Sequence, residues 1–169
     1  MQKNAQIQEQ DEPRVTRHIF VAMFIGFLGS STGNLVILAT TRDLLEIDLL
    51  VPTSFFMDTG LTLLTYKHIL LSSGLCAFGA ALLMCFLTSK TKVPDKFLFG
   101  IMCLCFMASC RWPFSLPITL TFTAKLTLFC MHGLGTIAIT APMLRARDCA
   151  LRDFVIEQIT KPRKASSSL

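Results

Sequence analysis

Cysteine, histidine and arginine side chains set inside apolar runs are the groups of this 169-residue chain most able to ligate a metal, relay a proton or attack an electrophile. Cys103 and Cys105 are separated by one residue, shorter than the two-to-four-residue spacing of zinc ligands, and on a helix they point ~200° apart, so they read as packing residues. His132 lies close to Cys130, Gly133 and Gly135. A relay histidine at membrane depth needs a carboxylate partner, and no apolar run supplies one, so His132 is expected to hydrogen-bond to a neighbouring helix. Arg111 sits at the edge of its run beside Trp112, where it can snorkel to an interface while the indole anchors there; the alternative is that Arg111 and His132 line a polar path. No H-E-x-x-H, G-x-S-x-G, phosphate-binding loop or paired carboxylate is present. The expectation is therefore a non-enzyme with no catalytic residues, no metal and no cofactor.

The elements that position these residues are four apolar stretches fenced by charge, at about 18–41, 69–89, 97–116 and 126–144. Each approaches or reaches the ~20 apolar residues that a helix needs to cross a ~30 Å hydrocarbon core. With 52% apolar residues and 16% charged ones, the composition is that of a membrane protein. The expected fold is an all-α four-transmembrane-helix bundle over residues 18–144, with a cytoplasmic head at 1–17 and a cytoplasmic tail at 145–169. The third span is the shortest: only 97–110 is uncharged, about two thirds of the core at ~1.5 Å per residue. It must continue past Arg111, with Pro113 and Pro117 loosening its end.

Charge sets the expected orientation. Lys3, Arg14, Arg17, Lys90, Lys92 and Lys96 fall on one side, together with Arg145, Arg147, Arg152, Lys161, Arg163 and Lys164. Arg42, Lys67, Arg111 and Lys125 fall on the other. A split of twelve to four places both termini in the cytoplasm. The net charge of +5 is thus explained by the membrane surface, and nucleic acid is not an expected partner. The polar head lacks signal-peptide character, so the first span reads as a retained signal anchor. Five of the seven cysteines lie within spans, which excludes an extracellular disulfide framework.

Between the first two spans, residues 42–67 form an acidic but sticky outer segment, expected to lie on the bilayer or to form a short sheet over the bundle, with Pro52 and Gly60 arguing against one continuous helix. The basic turn at 90–96 forces spans two and three into an antiparallel hairpin. Gly29 and Gly33 make a GxxxG in the first span, and Ser73, Ala77 and Ala81 continue small-residue spacing in the second. Both serve either internal helix packing or self-association into a homo-oligomer.

The first span ends L-A-T-T-R-D-L-L, and T-S-F-F-M-D-T-G-L follows about fifteen residues later. The second span opens H-I-L-L-S-S-G-L-C-A-F-G-A, and a short basic turn leads into F-L-F-G-I-M. In these details, over residues 18–110, the chain resembles the claudin superfamily, which includes the peripheral myelin and epithelial membrane proteins. Asp43 matches the family's aspartate, and Gly60 with Leu61 matches the G-L pair of its loop. Leu45 and Thr62 stand where the family has its two tryptophans, and the first loop has no cysteine. The resemblance implies a tetraspan protein of the plasma membrane that organises membrane or cell-cell contacts, or serves as accessory subunit of a membrane complex. Its partners would be lipids and other membrane proteins, and its cap would be held by the bundle and the bilayer surface. A small transporter or channel-forming subunit is the alternative.

In the tail, Cys149 stands beside Arg145, Arg147 and Arg152, where S-palmitoylation occurs; a free juxtamembrane thiol is the other reading. Apolar residues between Cys149 and Ile159 include helical i, i+3 and i+4 pairs, which predicts a short helix along the inner leaflet. Ser167, Ser168 and Leu169 match the terminal pattern that PDZ domains accept as an added strand, and Ser166 follows a basic stretch of the kind basophilic kinases recognise.

Overall fold

The structure is a computed structural model that describes residues 2–52, 60–91, 93–115 and 121–160. Helix α1 covers Gln2–Ala39 and widens into a π-helical turn at Thr40–Leu44. Two short strands follow, β1 at Leu50–Pro52 and β2 at Leu61–Leu63, and then the helices α2 (Tyr66–Lys90), α3 (Pro94–Ser115) and α4 (Phe122–Thr160). Among the described residues, three stretches are long and apolar enough to cross a membrane: Val15–Leu44, Tyr66–Lys90 and Phe122–Ala150. The expected third span forms α3, which is not among these three stretches of described residues.

Helix ends follow local chemistry. At the start of α2, the Thr65 N–H donates to His68 Nδ1 at 3.2 Å, and the Thr65 hydroxyl lies 3.0 Å from the same nitrogen. This satisfies a donor that a helix N-terminus otherwise leaves bare. Thr91 closes α2 by donating its N–H to Leu87 O at 2.8 Å. Pro94, expected in the middle of the basic turn, instead opens α3, where its missing N–H costs nothing and Asp95 complements the helix dipole. Thr121 caps α4 through Ala124 N–H to Thr121 Oγ1 at 3.2 Å.

The bundle has two apolar cores. At the end shared by the head and tail, Ile19 and Ala22 of α1 pack with Ala77, Ala81 and Met84 of α2, Leu98 of α3, and Ile139 and Met143 of α4. At the opposite end, Ala124, Leu128 and Met131 of α4 pack with Ile69 of α2 and with Leu49 beside the sheet. Helix α1 makes its most extensive contact with α4 and its next with α2, while α3 rests mainly on α4.

The outer segment forms a small sheet, one of the two expected forms. Strands β1 and β2 pair antiparallel with Leu50 opposite Leu63 and Pro52 opposite Leu61. Glu46, at φ 53°, turns the chain out of the π turn toward the sheet. Leu49 is 2% exposed, so an apolar plug fastens the sheet to the bundle.

Both flanks continue the helices of the bundle. The tail does not start a separate helix after the last span: α4 runs unbroken through Cys149 to Thr160. No glycine or proline interrupts 144–160, and Ala146 and Ala150 stay buried, so packing carries the helix onward. The head likewise belongs to α1, which begins at Gln2. His18 Nε2 lies 3.1 Å from Asp153 Oδ2, tying α1 to the far part of α4 through a partly exposed contact of small energetic weight.

Candidate functional site

Between the two cores lies a layer of uncharged polar side chains. Ser30, Ser31 and Asn34 of α1 and Ser73 of α2 are all buried, at 9% exposure or less. Ser30 Oγ and Ser73 Oγ are 3.0 Å apart and share a hydrogen bond between α1 and α2. On the α4 side, Gly135 leaves the room this layer occupies: a Cβ there would stand 3.1 Å from Ser30 Oγ and 3.4 Å from Asn34 Nδ2. The layer therefore joins three helices at one level. Among the described residues, Ser31 Oγ and Asn34 Oδ1 find no hydrogen-bond partner, and neither does Thr140 Oγ1 on α4. Each such buried orphan costs about 1–3 kcal/mol, whereas an interhelical bond in lipid returns about 0.6 kcal/mol on average. By that balance the layer weakens the bundle, and its use is to fix register and to offer polar valence inside an apolar body.

At Gly26 the backbones of α1 and α4 come close together. A Cβ at Gly26 would lie 3.0 Å from Ile139 Cα and 3.3 Å from Ala138 O, both backbone atoms that cannot swing aside. Pro142, inside α4, has no N–H to give the carbonyl four residues earlier. The Ala138 carbonyl is left without its helical donor, and the bare Cα of Gly26 packs onto that turn. Gly29 meets only Ala138 Cβ, at an ordinary 3.6 Å, and Gly33 would press on the movable end of Leu134. In α2, Ser73, Ala77 and Ala81 all lie on the buried face.

No protein-family model, curated protein or solved structure matches this chain.

The residues singled out for chemistry lie outside the polar layer. Arg111, Cys103 and Cys105 are exposed on α3. His132, expected to bond to a neighbouring helix, is exposed: the contact face of α4 runs through Leu128, Met131, Gly135 and Ile139, and position 132 is turned ~100° away from Met131. The cysteines at 76, 85, 103, 105, 110, 130 and 149 are all free thiols. Among the described residues, no three or more His, Cys, Asp or Glu side chains gather as a metal site.

Asp43 is exposed in the π turn, while Gly60 and Leu61 are half-buried where β2 begins. Cys149 is exposed near the end of the last apolar stretch. Asp58, Pro117, Ser166, Ser167, Ser168 and Leu169 lie outside the described residues, as do the side chains of Trp112 and Pro113.

Sequence reasoning missed Gly26, Asn34 and Pro142. A signal existed for each. Gly26 extends the Gly29–Gly33 row by one turn, Asn34 is the sole asparagine within an apolar run, and Pro142 interrupts a helical one.

Proposed function

We propose that the chain is a non-enzymatic tetraspan protein of the plasma membrane, with both termini cytoplasmic and the β1–β2 sheet as its extracellular cap. It acts by lateral packing, organising membrane or cell-cell contacts or assisting a larger membrane complex, in the manner of the claudin superfamily. One observation carries this reading: large apolar side chains face outward on every helix. Phe24 is 57% exposed, Phe86 59%, Leu104 72% and Ile137 68%. Water does not tolerate a continuous apolar surface of this extent, whereas lipid or the apolar face of another membrane protein does.

The position of the sheet supports the claudin-like part. It follows the first long apolar stretch, as the family's loop does, with Asp43 ahead of β1, Gly60 just before β2 and Leu61 its first residue. An apolar plug of Leu49, Ile69 and Leu128 holds it where the family uses a disulfide. Helices α1 and α4 carry their helical geometry beyond the apolar stretches, and these extensions would reach the basic side, suited to docking at the inner surface.

Proximity labelling from a tag on the tail, in intact cells, tests the role. Enrichment of adhesion proteins or of one channel complex is expected. Recovery of a metabolic enzyme pathway with no junctional or channel neighbour contradicts it.

A further inference from the structure

We propose that His68 is a pH-sensitive latch that fastens the start of α2 to the sheet and holds only while its ring is neutral. The latch is a capping box with a titratable acceptor. In such a box the residue three places into the helix reaches back to the N–H of the cap residue, a task that falls to glutamate or glutamine, which accept at any physiological pH. Here Thr65 is the cap and His68 stands in that third place.

The Thr65 N–H donates to His68 Nδ1 at 3.2 Å, and Thr65 Oγ1 stands 3.0 Å from the same atom. A backbone N–H can only donate, so Nδ1 must be bare and the ring proton must sit on Nε2. A second proton has to land on Nδ1 itself. It sets N–H against N–H, breaks the bond back to the cap, and puts a positive charge in the first turn of a helix, the end where the dipole disfavours it.

No carboxylate stands ready to offset that charge. Asp43, Glu46 and Asp48 lie in the segment leading to β1, and among the described residues no acid is within ion-pair distance of His68. The other ionisable groups at this end are Tyr66 and Lys67 on α2 itself, Arg42 in the π turn, Arg111 on α3 and Lys125 on α4. All but the tyrosine are cations.

The latch sits at a joint. Leu64 donates its N–H to Leu49 O at 2.7 Å, and Leu64 and Ile69 belong to the same apolar cluster, at the two positions where apolar residues staple a chain to the helix it enters. Box and staple together join β2 to α2. Acid removes the box and leaves the staple, so the joint loosens while the bundle stays folded. Because the folded joint uses neutral imidazole, the box holds above the range in which histidines titrate, about pH 5–8, and is lost as pH falls through it. The topology proposed above decides which compartment's acidity is read; the latch itself is independent of it.

Hydrogen exchange of the full-length protein in detergent micelles, corrected for the intrinsic effect of pH and compared at about pH 8 and about pH 5, tests the latch. Protection of peptides within 61–69 should fall about five-fold on acidification, the usual weight of a helix cap, while peptides from the middle of α2 keep theirs. His68→Gln, an acceptor at both pH values, should keep the protection and lose its pH dependence. His68→Ala should be poorly protected at both. His18→Gln and His132→Gln, at the other two histidines, should leave the dependence intact. A flat profile in the parent, or a His68→Gln profile that still falls with acid, overturns the latch. The ring gives a second reading that needs no folded variant at position 68: nuclear magnetic resonance of isotope-labelled histidine in the parent should place the neutral-pH proton of His68 on Nε2, and a proton on Nδ1 overturns the proposal.

Discussion

Gly26 and Gly29 stand three residues apart on the same helix, yet only one of them tolerates a side chain. Gly26 faces fixed backbone at 3.0 Å, and Gly29 faces a methyl at 3.6 Å. Gly29→Ala should leave thermal stability in detergent within about 0.5 kcal/mol of the parent. Gly26→Leu has no low-energy place for its side chain beside the Pro142 turn and should cost at least ~2 kcal/mol, read as a lower midpoint and a broadened gel-filtration peak. Equal losses from the two would show that α1 does not cross α4 where the structure places it. The same neighbourhood shows what residue patterns conceal. A GxxxG was visible in the sequence, but which glycine meets fixed backbone depends on where α4 lies opposite α1. Asn34 and Ser31 carry the same lesson: their types were plain, but their burial without partners depends on which helix lies opposite.

At the scale of elements, the β1–β2 sheet is the least self-sufficient part of the chain. Two three-residue strands are too short to stand alone in water. Leu49, 2% exposed, is the anchor that seats them on Ile69 and Leu128. Leu49→Ala should therefore loosen the cap, raising protease cleavage within residues 53–59 several-fold at the cost of about 2–4 kcal/mol of local stability. A reducing agent should have no such effect, since all seven cysteines are free. Unchanged cleavage in the variant would show that the sheet is held by something else.

Helices were the legible elements. Long apolar runs and their charged fences located α1, α2 and α4 to within a few residues of their apolar limits. The basic turn announced the α2–α3 hairpin. The π turn, the strand register and the unbroken length of α4 were not legible, because each is decided by tertiary packing and not by local pattern.

For the molecule as a whole, what remains is the solvent it faces. Large apolar side chains cover the outside of the described helices, an arrangement that water disfavours and lipid accepts. The expected four-span topology would put twelve of the sixteen basic residues on the side of the head, tail and α2–α3 turn, and the sheet on the other. The direct test is labelling of single cysteines with an impermeant maleimide in intact cells, on a background from which the native cysteines are removed. Asp58→Cys and Pro117→Cys should react from outside, and Lys92→Cys and Lys164→Cys only after permeabilisation. Position 117 is decisive for α3, the expected third span. Reaction of Lys92→Cys or Lys164→Cys in intact cells, or failure of Pro117→Cys to react there while Asp58→Cys does, would contradict a four-span bundle with both ends in the cytoplasm.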